Sequence, residues 1–292
     1  MELTNTDNFE HIKFNDATFP FNCFYMKDSN TLPHWHNHFE AVFSEKGSCL
    51  VYINGSNFLL SERQLIFIPP GSLHSIFPQG PCSYCAIVSG ESLFEGLGAD
   101  VHISEVLTPF MSIGLYPPIH LSENDTAFQK CFSLVHELQK ENSQKRTAYR
   151  ARIKSQLIIL FSILYDSLPP AFFKESKLPD STRLIKSSLD YLRVHYSERI
   201  TVNDMSTYCH LSIQHFSRLF KACTGKTFVE YLTLFRLEKA RKILASTDIP
   251  ITRIPDLVGF CNSNYFYRLY KKHYGHPPSL YRITALAERS EY

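Results

Sequence analysis

The amino-acid sequence predicts an α+β chain of two domains: an antiparallel β-barrel followed by two helices, and then an all-helical domain. Residues 18–90 contain short apolar runs separated by turn residues, without a helical period. From about residue 122 onward, apolar residues recur every three or four positions. Residues 182–282 are helical in pattern throughout and contain an internal repeat. A chain of 292 residues is long enough to bury two hydrophobic cores.

The β-rich region has two clear turn signals. "SCLVYINGSNFLLS" places two β-rich runs on either side of Asn54-Gly55, the dipeptide most typical of a tight hairpin. "RQLIFIPPGSLHSIF" contains another pair of apolar runs, broken by Pro69-Pro70-Gly71. Short strands joined by tight turns favour an antiparallel barrel or sandwich.

Two helices follow the β-rich region. "AFQKCFSLVHELQKE" is amphipathic, and "RARIKSQLIILFSILYDSL" is more apolar and ends before Pro169-Pro170. Two helices are too few for a bundle of their own, so they pack on the barrel, on each other or on a second copy of the chain. We expect them to mediate a homodimer through an apolar stripe. Its members are Phe128, Phe132, Val135, Ile159 and Ile163.

The distribution of charge divides the chain into two parts, as the periodicity of the apolar residues does. Residues 1–181 hold 13 Lys/Arg and 19 Asp/Glu, a balance of −6, whereas residues 182–282 hold 16 and 7, a balance of +9. An acidic part joined to a basic part suggests that only the second part meets a polyanion. We therefore place the first domain at 1–170, a Pro- and Ser-containing linker at 171–181 and the second domain at 182–292.

The internal repeat has an offset of 50 residues. "HFSRLFKACTGKTFVEYL" and "YFYRLYKKHYGHPPSLYR" match at Phe216 and Phe266, at Arg218 and Arg268, and at Leu219 and Leu269, among other positions. Ser212 and Asn262 are equivalent and are good N-cap residues. Thr201 and Asp204 form a capping box ahead of an earlier short helix. A short helix, a turn and a capped second helix make a helix-turn-helix unit, and the repeat predicts two of them.

The outward faces of the two second helices carry hydrogen-bonding and basic side chains, which suit base edges and phosphates. An ordinary solvated helix face would look similar in one unit alone. Two equivalent faces in one basic domain favour binding to double-stranded DNA. The predicted DNA contacts are Gln214, His215, Ser217, Arg218, Lys221, Ser263, Asn264, Tyr267, Arg268 and Lys271.

The helical domain resembles the DNA-binding domain of the AraC/XylS family of bacterial transcription regulators. The resemblance rests on the "RLxxAxxxL" pattern that begins at Arg236, on Gly259-Phe260, on Pro277 and on Tyr281-Arg282. It implies two helix-turn-helix units that read neighbouring segments of the major groove, joined by one rigid helix over "TFVEYLTLFRLEKARKILAST". Pro255 departs from the family, which usually has Ala there. With Thr252 as N-cap, we expect a shortened helix start and an intact unit.

The stretch "PHWHNHFE" places His34, His36, His38 and Glu40 at every second position, on one face of a strand. It resembles the first cupin motif, which continues to Gly47, and "PPGSLH" resembles the second. In metal-binding cupins, the residues that correspond to His34, His36, Glu40 and His74 are the ligands. Two residues of the usual motifs are absent: the leading Gly of the first and the Asn after the last His.

The AraC/XylS resemblance implies that the barrel is a small-molecule receptor. We assign no metal and no cofactor, and we expect an organic effector, with a saccharide or sugar derivative as the leading class because Trp35 offers a flat face. A role for Trp35 as a core filler is equally consistent with the sequence. The same histidines and Glu40 could instead hold Fe, Mn, Ni or Zn, or form a purely structural, hydrogen-bonded cluster. The predicted ligand-binding residues are His34, Trp35, His36, His38, Glu40 and His74.

The sequence thus predicts a non-enzymatic, effector-controlled transcription regulator that binds promoter DNA as a homodimer, and contacts RNA polymerase if it activates. We expect a cytoplasmic protein without membrane contact. The N-terminus has no secretory pattern, the longest apolar run is too short for a span, and eight cysteines show no regular framework. Cys82 and Cys85 form a lone C-x-x-C, a weak metal or redox signal. The same sequence is compatible with a metal-dependent cupin enzyme fused to a DNA-binding module, and with a constitutive regulator whose barrel only dimerises.

Overall fold

The computed structural model describes residues 12, 14, 16, 18–94, 100–113, 116–173 and 179–290. These residues divide into two compact units at Arg183 and Leu184. The predicted linker overlaps a short 3₁₀ turn at Pro170–Phe173 and the start of a helix at Asp180. Its residues 174–178 lie outside the described residues, so the boundaries of the two domains stay a prediction.

The N-terminal unit contains two antiparallel sheets, as the fold prediction expected. A five-stranded sheet has the order β1-β8-β3-β6-β9, and a four-stranded sheet has the order β2-β7-β4-β5. The strands are β1 (Phe21–Lys27), β2 (Thr31–His34), β3 (Phe39–Lys46), β4 (Cys49–Ile53), β5 (Ser56–Leu60), β6 (Leu65–Ile68), β7 (His74–Pro78), β8 (Ser83–Ser89) and β9 (Ile119–Leu121).

The hairpin predicted at Asn54-Gly55 is confirmed, and it connects β4 to β5. Both residues have positive φ, 49° and 91°, as a tight hairpin turn requires. The Asn54 side chain also holds the loop before β7, because its Oδ1 accepts the Leu73 N–H at 2.9 Å and its Nδ2 donates to Ser72 Oγ at 3.2 Å. The turn therefore positions the residues that lead into His74.

Strand β3 is buried on both faces, because it separates two hydrophobic cores. Phe39, Ala41 and Phe43 pack in the core that contains the helices, whereas Val42 packs in the core between the two sheets. The three helices on this unit are α1 (Val101–Met111), α2 (Phe128–Gln144) and α3 (Tyr149–Ser167).

The apolar stripe predicted for dimerisation is mostly internal. Phe128 and Val135 are fully buried in the core that α2 and α3 share with β3, and Phe132 and Ile163 are packed against that core. Ile159 alone among the five is largely exposed, at 50%. The core of this unit therefore covers most of the stripe, as packing of the helices on the barrel would require, and dimerisation stays a prediction.

The C-terminal unit is helical, as predicted, and its caps repeat. Ser212 accepts the His215 N–H, Asn262 accepts the Tyr265 N–H, and Thr201 with Asp204 forms the expected capping box. The helices are α4 (Asp180–His195), α5 (Val202–Tyr208), α6 (Ile213–Thr224), α7 (Phe228–Ser246), α8 (Ile254–Leu257), α9 (Ser263–Tyr274) and α10 (Pro278–Ser290). Helices α6 and α9 are the second helices of the two helix-turn-helix units.

Helix α7 contacts both helix-turn-helix units, which suits its predicted role as a rigid spacer. Phe228 and Tyr231 pack on Phe220 of α6, while Leu237 and Ala240 share a core with α8 and α9. Two hydrogen bonds also run from the Arg236 guanidinium to backbone carbonyls of the segment ahead of α5. Their partners are the carbonyl oxygens of Tyr196 and Glu198, both at 2.7 Å.

The start of the second unit is shortened at Pro255, as expected. A 3₁₀ turn at Ile251–Arg253 leads into the four-residue helix α8, and Pro255 stands in its first turn. The N-cap is Arg253 and not Thr252. The unit remains intact because Ile254 and Val258 are fully buried in the core with α7 and α9.

Candidate DNA-reading helices and a buried histidine cluster

The predicted DNA contacts on α6 all lie on its exposed face. Phe216 and Phe220 are fully buried, which turns the opposite side of the helix to solvent. The exposed predicted residues of this helix are Gln214, His215, Ser217, Arg218 and Lys221.

Helix α9 shows the same arrangement with two differences. Phe266 and Tyr270 are fully buried, and Asn264, Arg268 and Lys271 are exposed. Ser263 is half-buried. Tyr267 is also half-buried and packs against the core, so less of its side chain reaches solvent.

One aromatic residue on α9 was missed by the sequence analysis. The ring of Tyr265 lies beneath Arg268, with 5.4 Å from the guanidinium carbon to the ring centroid. Phe260 lies 6.4 Å from Tyr265, centroid to centroid. The signal was present in the sequence, because residues three apart on a helix are neighbours.

In the N-terminal unit, the histidine phrase does not lie on one strand, contrary to the prediction, because β2 ends at His34 and β3 begins at Phe39. Three of its residues, His34, His36 and Glu40, nevertheless cluster with His74, and all but the half-buried His34 are buried. His34 and His74 are directly opposite each other on β2 and β7. Glu40 faces the same interior from β3, where it alternates with Phe39 and Ala41. His36 Nε2 lies 2.9 Å from Glu40 Oε2, and His74 Nε2 lies 3.0 Å from the same oxygen.

Backbone carbonyls determine which nitrogen of two histidines carries hydrogen. His34 Nδ1 lies 2.8 Å from Leu32 O, and His74 Nδ1 lies 2.9 Å from Ser72 O. A carbonyl oxygen only accepts, so Nδ1 is the donor in both rings and Nε2 of each neutral ring has a lone pair. His74 Nε2 therefore faces a carboxylate oxygen without an aligned hydrogen bond.

His36 is held in the opposite tautomer. Its Nδ1 accepts the backbone N–H of His38 at 3.4 Å, so its Nε2 carries the hydrogen and donates to Glu40. Burial lowers the pKa of His74, which keeps that ring neutral near pH 7. Burial alone would raise the pKa of Glu40, but the neighbouring His74 and the hydrogen bond from His36 hold that pKa well below the ordinary value. Glu40 is therefore ionised.

The cluster has the donor types of a transition-metal site. The ligand atoms of His34, His36, Glu40 and His74 all lie within 4.8 Å of one another. Three imidazoles and a carboxylate suit Zn, Fe, Mn or Ni, and the Nδ1 hydrogen bonds of His34 and His74 are those that orient metal-binding histidines. His36 departs from this pattern, because its Nε2 proton would have to leave before that atom could bind an ion.

A cleft of about 610 Å³ lies beside the buried cluster. His38 is the residue of the predicted ligand set that lines it, and the His38 and His36 rings are stacked 5.6 Å apart. Trp35 is buried, with 9% of its surface exposed. The cleft is lined by Ile12, Phe14, Pro20, Asn37, His38, Gly90, Glu91 and Ser92.

The C-x-x-C pair does not form one site. Cys85 packs in the core that contains the helices, whereas Cys82 packs in the core between the sheets. Cys82 lies just before β8 and Cys85 lies within it. All eight cysteines of the chain are free thiols.

Within the described residues, none of the helices has the length and apolar composition that crossing a membrane requires.

A β-sheet unit joined to a basic unit with two helix-turn-helix motifs defines a class of protein, the two-domain DNA-binding regulators. Residues 25–161 match the AraC-like ligand binding domain, and residues 205–283 match a helix-turn-helix domain. The chain belongs to the AraC family of transcription regulators and carries a DNA-binding domain and an effector-binding domain.

The chain is also similar to several individual proteins. The uncharacterized HTH-type transcriptional regulator YdeC of Bacillus subtilis (strain 168) is 26% identical over 252 residues, 85% of either chain. The HTH-type transcriptional activator RhaS of Escherichia coli O81 (strain ED1a) is 25% identical, over 84% of this chain and 85% of its own. Among solved structures, fatty-acid-bound ToxT of Vibrio cholerae strain SCE256 is 14% identical with a TM-score of 0.42, over 93% of this chain and 97% of that one.

Proposed function

We propose that this regulator reads promoter DNA with α6 and α9, and that a small-molecule effector bound to its N-terminal unit controls it. The DNA proposal is supported by two equivalent, capped helices that expose polar and basic side chains at matching positions. The basic charge of residues 182–282 favours the same partner. The chain then works without catalysing a reaction, in the cytoplasm, where promoter DNA is accessible.

The two recognition helices begin 50 residues apart and are joined through α7. If both enter one face of a duplex, their contacts lie about one helical turn apart, roughly 10 base pairs. Arg218 and Arg268 are the side chains best suited to guanine, and Lys221 and Lys271 lie further along their helices, where phosphate is the expected contact.

The test compares Arg218→Ala, Arg268→Ala and Lys221→Ala on operator and scrambled duplexes at several salt concentrations. Loss of an arginine that reads guanine should cost about 1–3 kcal/mol and relax preference at one base pair. Loss of Lys221 should weaken binding to every sequence and flatten the salt dependence. If all three variants bind the operator like the parent chain, α6 and α9 do not read DNA.

For the effector, the cleft beside His38 is the best-supported site among the described residues. Asn37, His38, Glu91 and Ser92 offer hydrogen-bonding groups, and Phe14 offers a flat apolar ring. This mixture suits a neutral polyhydroxylated molecule such as a saccharide, and Glu91 disfavours an anion. The argument for a sugar no longer needs Trp35, whose side chain is largely buried.

A ligand in this cleft would act on the buried cluster through His38. The His38 N–H donates to His36, and His36 donates to Glu40, so a shift of His38 changes the bonding of the buried carboxylate. An effector regulates only if it binds two states of the protein with different affinity. The two states would then differ in the hydrogen bonds that link His38, His36 and Glu40.

Fluorescence of Trp35 tests the effector proposal, because the chain has one tryptophan. We expect one neutral saccharide from a panel to change this fluorescence in a saturable manner. His38→Ala should weaken the response, whereas His102→Ala, an exposed histidine on α1, should leave it unchanged. A response confined to carboxylic acids, or one that is equal in both variants, contradicts the proposed ligand and site.

A transition-metal ion is the second candidate occupant of the N-terminal unit. It is favoured by the Nε2 atom of His74, which is buried, has no hydrogen-bond partner and lies 3.0 Å from the Glu40 carboxylate. Such an ion would supply a Lewis acid held by His34, His36, Glu40 and His74. An organic effector needs no ion, so we expect purified protein to hold much less than one metal per chain. Stoichiometric metal in the parent chain, absent from His74→Ala, would establish the ion instead.

We also propose that the chain binds DNA as a homodimer through its N-terminal unit and, if it activates transcription, contacts RNA polymerase. Ile159 on α3 is the exposed apolar residue of the predicted stripe. Sedimentation of the full chain should show a dimer that Ile159→Glu weakens. A parent chain that remains monomeric with and without saccharide contradicts the dimer, and an unchanged dimer in Ile159→Glu excludes this face.

A further inference from the structure

The two recognition helices differ in how their equivalent arginines are supported. On α9, the Arg268 guanidinium lies over the Tyr265 ring, and Tyr265 is itself held at two points. Its backbone N–H donates to Asn262 Oδ1 at 2.9 Å, and its ring contacts that of Phe260, which is buried. A series of contacts therefore runs from the core of the second unit to an exposed arginine.

The first unit has the equivalent cap, in which Ser212 accepts the His215 N–H, but it lacks the two aromatic residues of this series. With the offset of 50 residues, Phe260 corresponds to His210, and Tyr265 corresponds to His215. Both histidines are exposed. In the part of the chain that the structure describes, no phenylalanine, tyrosine or tryptophan ring lies under the guanidinium of Arg218.

We propose that Tyr265 is a positioning residue that presents Arg268 to a base edge and makes α9 the more base-selective of the two helices. This inference rests on the proposed reading of DNA by α6 and α9. Arg218, without a ring partner, adapts to different bases or to phosphate.

The physical reason is the cost of ordering a long side chain. A free arginine loses rotamer freedom when it is immobilised, and a guanidinium that is already stacked has lost part of that freedom before binding. A guanine accepts two hydrogen bonds from a guanidinium only in one orientation. A stacked arginine therefore favours guanine over other bases more strongly than a mobile one.

The position of the pair on the helix suits this role. Tyr265 is the third residue of α9 and Arg268 the sixth, within the N-terminal turns that enter a major groove. Tyr265 is 43% exposed and Arg268 is exposed, so the stack lies at the surface and DNA can approach it. The fold of the unit does not depend on the Tyr265 ring, whereas Phe266 and Tyr270 form the buried side of the helix.

The experiment uses the full chain and a duplex that the parent chain selects from a randomised library. Affinity is measured for this duplex, for each single-base variant of it and for a scrambled duplex. The compared proteins are the parent chain, Tyr265→Leu, Tyr265→Phe and Arg268→Ala. Phenylalanine keeps the ring beneath Arg268, so Tyr265→Phe is the matched control, and circular dichroism verifies that each variant is folded.

We expect Tyr265→Leu to reduce discrimination at the base pair that Arg268 reads by about 2- to 5-fold, the effect of an exposed cation–π contact. Affinity for scrambled DNA and its salt dependence should be unchanged, because Tyr265 carries no charge. Tyr265→Phe should discriminate like the parent chain. A merely structural role for Tyr265 would instead lower affinity for all duplexes alike.

Two further results would overturn the inference, and they differ in whether α9 still reads DNA. If Arg268→Ala loses discrimination at one base pair but Tyr265→Leu retains it, α9 reads DNA and Tyr265 does not position the arginine. If Arg268→Ala itself changes nothing, the proposed DNA-reading surface of α9 is wrong, and the role of Tyr265 fails with it.

Discussion

Polar residues of both units were expected to bind a partner, but those of the N-terminal unit are buried and those of the C-terminal unit are exposed. His36, Glu40 and His74 are buried, and the Nε2 atom of each histidine lies within 3.0 Å of the Glu40 carboxylate. Arg218 and Arg268 are exposed on helices whose opposite faces form the core. A buried polar group needs partners among its neighbours, so the residues around Glu40 affect stability whether or not they bind a ligand. Arg218 and Arg268 are exposed, so their side chains can serve binding alone.

The largest expected effect tests this contrast directly. Glu40→Ala removes the charged acceptor of His36 Nε2 and leaves that buried N–H unsatisfied, which should cost about 2–3 kcal/mol of unfolding free energy. Urea unfolding followed by Trp35 fluorescence reports this unit.

Arg218→Ala is the counterpart on the exposed surface, and it should change stability by less than about 0.5 kcal/mol. Equal losses of stability in the two variants would contradict the division into a structural cluster and a binding surface.

A second prediction concerns the junction between the two helix-turn-helix units. A Cβ on Gly259 would lie 2.7–2.9 Å from backbone atoms of Ser197, and φ there is +86°. Gly275 has a similar φ of +79°, but an added Cβ would meet nothing within 4 Å. We expect Gly275→Ala to cost about 1–2 kcal/mol, the penalty of the left-handed backbone alone.

Gly259→Ala should cost more than Gly275→Ala, because backbone atoms must move as well. It should also weaken operator binding more than Gly275→Ala does, since Ser197 precedes α5 and Gly259 precedes α9, so a shift at this contact would displace both units. Thermal unfolding and operator affinity of both variants provide the measurement. If both substitutions lower stability by a similar amount, the backbone at Ser197 can move to accommodate the added Cβ with little loss of free energy.

The smallest expected effect is a pH dependence at the capping box of α7. The Thr227 backbone and hydroxyl hydrogen bonds lower the pKa of Glu230 below its ordinary value of 4.5. A lowered folded-state pKa adds stability above pH 4.5 that is lost as the pH falls through the folded-state value. The contribution should be less than about 1 kcal/mol, as for other exposed caps.

Glu230→Gln keeps a capping side chain that cannot titrate. The parent chain should be more stable than this variant at pH 6, and the difference should shrink at pH 3. Urea unfolding followed by circular dichroism measures it. A difference that is independent of pH would show that the carboxylate charge adds nothing to the cap.

Local signals account for what the sequence analysis predicted correctly. The Asn54-Gly55 turn, the caps at Ser212 and Asn262, and the position of Pro255 in the first turn of α8 each depend on a few neighbouring residues. The expected N-cap of α8 was displaced by one residue, from Thr252 to Arg253. Strand alternation did not group the residues near Glu40 as expected, because residues 36–38 form the turn between β2 and β3 and His38 lines the cleft instead.

Contacts between distant segments account for what the sequence analysis missed. Phe128 and Val135 form an apolar stripe in any reading of α2, but the sequence does not say whether a sheet or a second chain covers it. The cleft joins residues near position 14 to residues near position 91. The stack of Phe260, Tyr265 and Arg268 uses both a loop and a helix.

The sequence by itself determined the order of the elements, the two equivalent recognition helices and the residue types at each candidate site, because periodicity, turn chemistry and capping act over a few residues. Only the tertiary structure decided which of those residues are buried. Burial depends on which surfaces meet. Tertiary packing separated the cluster around Glu40 from the cleft at His38, and it placed an aromatic ring beneath Arg268. The same kind of polar side chain is part of the core in one unit and part of a binding surface in the other, because the free-energy cost of leaving it unpaired depends on access to water.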